Sequence, residues 1–145
     1  MAEPPFRWRL PYRQLALEDP LRPLVPVQIR YGDALVNARG LVDSGADRSL
    51  FSAGLAPALG IDLSHLPAPR VGSARGVGGA ESVVAVDVQM SVVGVRFSAR
   101  IHFSSAWSTE FGLLGRADFF RAFRVAFDER AETFFFDPYN AATDP

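Results

Sequence analysis

The sequence predicts an all-β domain, a closed or barrel-like sheet with short helices. Three observations carry that reading. Apolar residues recur with period two in several separate stretches. Glycine-containing turns punctuate those stretches, and the helical patterns are too short to form a layer of their own. The size fits one core, since 145 residues make one domain at roughly 100–200 residues per domain. Apolar residues are 48% and charged residues 21%, a balance that excludes disorder over most of the chain. The expected organisation is a Pro-rich arm over 1–23, a domain over 24–137 and a frayed tail over 138–145.

Taken in order, residues 1–24 carry prolines at 4, 5, 11, 20 and 23, a density that forbids a helix. Phe6, Trp8 and Leu10 alternate as one face of an edge strand would, and a loose leader is the competing reading. Val25, Val27 and Ile29 alternate with Pro26, Gln28 and Arg30. Tyr31-Gly32-Asp33 is a turn signal, and Leu35 to Val42 reads as the returning strand. Leu50 and Phe51 resume the apolar run, and Ala53 to Leu59 reads as a short helix ended by Gly60.

Gly72 to Gly79 is a glycine-dense loop signal. Val84, Val86, Val88, Met90 and Val92 then alternate with polar or small residues, and after Gly94 so do Val95, Phe97, Ala99, Ile101 and Phe103. Period two on both sides of a turn predicts a hairpin with one buried face, with His102 on its polar side. Ala117 to Phe123 reads as a short helix. Val125 to Phe127 and Thr133 to Phe136 flank a turn, making a second hairpin.

Composition narrows the chemistry. Lys+Arg is 15 against Asp+Glu 16, for a net charge of −1, which argues against a nucleic-acid binder working through a broad basic field. There is no cysteine, hence no disulfide, thiolate nucleophile or cysteine metal site. Every basic residue is Arg, so Schiff-base chemistry and a Walker-type phosphate lysine are excluded. His65 and His102 lack partners at ligand spacing, so no metal or other cofactor is expected. No GxSxG elbow exists for a Ser-His-Asp hydrolase. No stretch of 18 or more apolar residues and no charged-then-apolar leader pattern is present. The expectation is a soluble, cytoplasmic protein without membrane contact.

One segment carries chemistry. In Leu41-Val42-Asp43-Ser44-Gly45-Ala46-Asp47-Arg48-Ser49, an acidic residue follows an apolar strand and is followed by a hydroxyl and a glycine. Such an aspartate sits on a turn with its carboxylate free to project, and the glycine lets another backbone come close. The hydroxyl can fix the loop. Alone, the triplet is a weak signal and reads first as a strand-ending turn. Downstream, Leu113-Leu114-Gly115-Arg116 is two apolar residues and a glycine leading into a helix.

These two motifs in this order resemble the retropepsin family of aspartic proteases, over roughly 24–136. The resemblance implies a single-lobed acid-protease barrel in which Asp43 is the catalytic aspartate and Ser44 and Gly45 complete the catalytic motif. Ala46 and Asp47 would contact substrate, and Arg116 would pair with Asp47 in bidentate fashion; a solvated helix-end charge is the plain alternative for Arg116. Val77, Gly78 and Gly79 would form the tip of a glycine-rich flap over the substrate, a plain surface loop being the alternative. Leu50, Val77 and Leu113 are candidate pocket residues. Ser44 stands where many members have Thr, 53–69 reads as an insertion, and the flap lacks the longer apolar-glycine pattern of some viral members.

Aspartic-protease chemistry uses two carboxylates sharing a proton. This chain has one such motif; Asp33 and Asp62 are turn-like and Asp118 starts a helix. The second carboxylate then comes from a second chain, with both Asp43 residues at a two-fold axis and Ser44 bonding across it. The expected partners are a polypeptide substrate and a second copy of the chain. The N-terminal arm and Phe134 to Phe136 are candidates for interdigitated dimer strands, with pairing inside one chain the alternative. The competing functions are an inactive dimerisation or peptide-binding module of the same fold, and a β-barrel binding protein.

Overall fold

In a computed structural model, the protein is described at residues 6–65, 71–76, 79–107 and 109–139. Among the described residues there are ten strands: β1 (Trp8–Pro11), β2 (Leu24–Tyr31), β3 (Ala34–Val42), β4 (Ser49–Ser52), β5 (Val71–Gly76), β6 (Gly79–Val92), β7 (Val95–Ser104), β8 (Gly112–Leu114), β9 (Phe123–Asp128) and β10 (Thr133–Pro138). Two 3₁₀ turns (Ala53–Leu59 and Leu63–His65) and one helical turn, α1 (Phe119–Ala122), complete them.

Six strands close into a barrel in the order β2-β3-β8-β4-β7-β6, the ring being shut by pairing of Ile29 with Met90 between β2 and β6. The period-two pattern explains the closure. Val25, Val27 and Ile29 of β2 and Val86, Val88, Met90 and Val92 of β6 are each at most 5% exposed, while Gln28, Arg30, Asp87 and Gln89 face out. A barrel leaves these strands no free edge. Gly32 and Gly94 take φ of 57° and 81° in the turns joining β2 to β3 and β6 to β7, a backbone region that glycine enters without strain.

The loop-like glycine segment before β6 is ordered pairing instead. β5 runs antiparallel to β6 from Val71 opposite Val84 to Gly76 opposite Gly79. The β6–β7 pairing begins only at Val83 opposite Ser104, so the end of this hairpin extends past β7. The Ala53–Leu59 turn follows its predicted bounds, with Ser52 accepting from the Gly54 N–H at its start and Gly60 left-handed at its end. It is 3₁₀ rather than α, with Pro57 inside it.

The N-terminal alternation is a strand. β1 pairs with β10 within the same chain, Trp8 opposite Phe136 and Leu10 opposite Phe134, and β10 pairs with β9. Of the two readings of the arm and Phe134 to Phe136, the intrachain one is realised. Tyr12, just past β1, is 5% exposed and packs on Phe134. This small sheet closes one side of the core through an aromatic cluster: Phe119 stacks on Phe123 at 5.0 Å, and Phe136 meets both at 5.8 Å.

His102 departs from expectation. It falls on the outward face of β7, yet it is only 6% exposed, and Arg48 Nη1 lies 3.2 Å from its Nε2.

Candidate active site

The loop Asp43–Arg48 leaves the barrel where β3 ends, and β3 and β4 on either side of it do not pair with each other. β8, from far along the chain, lies between them, parallel to β3 (Leu41 opposite Leu113) and antiparallel to β4 (Leu50 opposite Leu113). The loop is therefore held by the segment that follows β8. Asp43 N–H donates to Leu114 O at 3.1 Å, Arg116 N–H to Ala46 O at 2.8 Å and Ala117 N–H to Asp47 O at 2.9 Å. The second motif thus braces the first backbone to backbone.

Gly115 explains why that motif carries glycine. A Cβ there would lie 2.4 Å from the carbonyl carbon and oxygen of Arg48, so the two backbones approach as only glycine allows. Gly112 is constrained similarly, its absent Cβ falling 2.4 Å from the Phe51 ring.

Within the loop, Asp43 is half-buried and its Oδ1 accepts the Gly45 N–H at 2.8 Å. That bond fixes the carboxylate while leaving Oδ2 open to other partners. Ser44, Gly45, Asp47 and Arg48 are exposed, and Ala46 is half-buried. The Asp47–Arg116 pair is present, with Arg116 Nη1 3.6 Å from Asp47 Oδ1. It is a single solvated contact rather than a bidentate grip, since the side chains are 86% and 65% exposed. Val77 and Gly78 lie outside the described residues; Gly79 opens β6 at the end of the projecting hairpin. Leu50 and Leu113 stand opposite each other in register, both half-buried, on the face that also carries His102.

Two residues of the site escaped the sequence reading. Ser49, fully buried, accepts the Gly115 N–H at 3.1 Å and donates to Asp118 Oδ1 at 2.5 Å. Asp118 also accepts the Phe119 N–H at 2.8 Å and the Arg100 N–H at 3.3 Å. The expected helix-starting role of Asp118 is real, and the same carboxylate also joins β4, α1 and β7. The available signal was a hydroxyl at the end of the first motif and a carboxylate just after the second.

Behind the loop, Arg48 Nη1 lies 3.2 Å from His102 Nε2. Burial, then the Arg48 charge, push the His102 pKa down from its ordinary value; the Ser49 backbone, the Asp118 carboxylate and the Arg100 backbone oppose this. Among the described residues there is no cluster of three His, Cys, Asp or Glu able to hold a metal ion, and no helix is long and apolar enough to cross a membrane.

No protein-family model matches this sequence, and no curated protein matches it significantly. The functional reading therefore rests on the fold and the loop.

Proposed function

We propose that this chain is a retropepsin-like aspartic endopeptidase that acts as a homodimer on polypeptide substrates. The observation that carries the proposal is the setting of Asp43. A half-buried carboxylate, with one oxygen fixed by the Gly45 N–H, stands on an exposed loop laced to a second motif ending in Gly115-Arg116. A fixed carboxylate beside exposed backbone suits general acid–base work on a water.

One chain supplies one such carboxylate. Two copies meeting loop to loop would bring both Asp43 side chains together, one as base toward the water and one as acid toward the scissile carbonyl. Ser44 is exposed, as a hydroxyl reaching across that contact needs to be. The backbones of Gly45 and Ala46 and the Asp47–Arg116 pair would line the substrate path, and the segment Val77 to Gly79 would cover it. The reaction calls for no metal or cofactor, and a cytoplasmic setting is part of the proposal.

The test is cleavage of a denatured protein mixture from pH 3 to 7, wild type beside Asp43→Asn, with oligomeric state measured on the same samples. The expected result is acidic to mildly acidic activity, lost in Asp43→Asn, with both proteins dimeric. Full activity in Asp43→Asn would sink the proposal. A dimer inert in both forms would favour an inactive binding module of the same architecture.

A further inference from the structure

We propose that His102 is a positioning residue for the Asp43 loop, acting through a hydrogen bond that its Nε2 lone pair accepts from Arg48. The inference rests on the aspartic-protease reading, which gives the loop its chemistry, and concerns a residue that reading leaves unused.

A guanidinium has donors only, so at 3.2 Å from Arg48 Nη1 the His102 Nε2 must be the acceptor. The ring is then neutral and carries its proton on Nδ1. That Nδ1 is buried without a well-formed hydrogen bond, although the Ser49 and Arg100 backbones approach the ring, and the bond to Arg48 is its side-chain anchor. The other end of Arg48 is the loop itself, since its backbone is the surface on which Gly115 packs. Ser49, the next residue, is tied to Gly115 and Asp118. Arg48 thus couples the outer face of β7 to the loop that presents Asp43.

A proton on Nε2 removes the acceptor and sets two cations face to face. The groups around the ring decide when this happens. From the loop, Arg48 opposes protonation; from the start of α1, Asp118 favours it, with burial the largest influence and unfavourable to charge. On the flanking strands the residues in register are Leu50 of β4 and Ala85 of β6, neither of them ionisable. The Arg48 contact is therefore kept at neutral pH and lost as His102 takes up a proton, below the ordinary histidine value of about 6.5, which shifts the loop on its backbone bonds. Proteolysis would weaken on its acid side as His102 takes up its proton.

The test reads the loop without using activity. Nitrogen-15 NMR of the full-length protein follows the His102 ring and the amides of Gly115, Arg116 and Ala117 from about pH 7.5 down to pH 4. In wild type the ring is expected as the neutral Nδ1–H form, and on protonation the three amides shift with the ring's own midpoint. His102→Gln offers a non-titrating acceptor to Arg48 and should abolish that shared midpoint, whereas His102→Leu should show displaced amides at every pH. In cleavage assays the acidic limb moves to lower pH in His102→Gln, and kcat/KM falls about tenfold in His102→Leu, the scale of losing a hydrogen bond to a charged group. Amides that keep the wild-type midpoint in His102→Gln, or a ring that titrates without moving them, would overturn the inference. Because the amide shifts need no proteolysis, they test it even if Asp43→Asn shows the enzymatic reading to be wrong.

Discussion

Replacing Gly115 by alanine tests how the loop is held. The added Cβ falls 2.4 Å from the carbonyl carbon and oxygen of Arg48 and 2.8 Å from its Cα. Carbon atoms settle at about 3.5–4.0 Å, so the overlap is about 1 Å. The obstacle is backbone, so no side-chain rotation relieves it. The loop must withdraw, stretching the Gly115–Ser49, Arg116–Ala46 and Ala117–Asp47 hydrogen bonds. Overpacking costs about 1–3 kcal/mol, and weakening these bonds adds about 0.5–1.5 kcal/mol for each one lost. The expected destabilisation is about 3 kcal/mol, or roughly 6–12 °C in Tm for a domain of this size. Parallel thermal and urea melts would measure it. Gly54→Ala is the control, since its Cβ meets only Ser52 Oγ at 3.5 Å and should change stability by less than about 0.5 kcal/mol. A Gly115→Ala protein that melts with the control would refute the close-approach argument.

The other expectations concern single contacts. Ser49→Ala leaves the Gly115 N–H without its acceptor and takes one of the donors from Asp118, and should cost about 1–3 kcal/mol by urea titration. Asp47→Asn should cost less than about 1 kcal/mol at low salt and nothing measurable at high salt, because its partner is solvated and the loop hangs on backbone bonds; a larger loss would mean that the ion pair holds the loop. Burial, then the hydrogen bond from Tyr12 Oη to Glu129 Oε1 at 3.2 Å, raise the Tyr12 pKa. The folded state keeps that phenol proton where the unfolded chain, at about 10, loses it. Stability from this group is complete below about pH 10 and falls as pH rises through the folded value, a slope that Tyr12→Phe should remove in melts from about pH 9 to 11.

The fold was legible wherever one face of a strand meets the core and the other meets water. β2 and the β6–β7 hairpin alternate cleanly for that reason. The signal failed where a surface position is covered by a long side chain. His102 sits at an outward step of β7, and no local pattern reveals that Arg48, distant in sequence, lies over it. The glycines of β5 read as a loop because a strand with little side chain has no periodicity to display. The site was legible as two motifs, but not the chemistry that joins them. Gly115 marked a tight contact without naming Arg48 as its partner, and the Ser49–Asp118 bond joins residues far apart in the chain.

The pairing of Trp8 with Phe136 has a consequence for biosynthesis. β1 is synthesised more than a hundred residues before its partner β10. While the chain is still being synthesised, Trp8 and Leu10 have no β10 to lie against, and the aromatic cluster lacks Phe134 and Phe136. This sheet must wait for β10, and long-range pairing of this kind is slow. Shortening the chain from either end removes the same sheet. A cut ahead of Tyr12 bares the edge of β10, a row of unpaired backbone groups beside buried phenylalanines, and a strand from another molecule could add there.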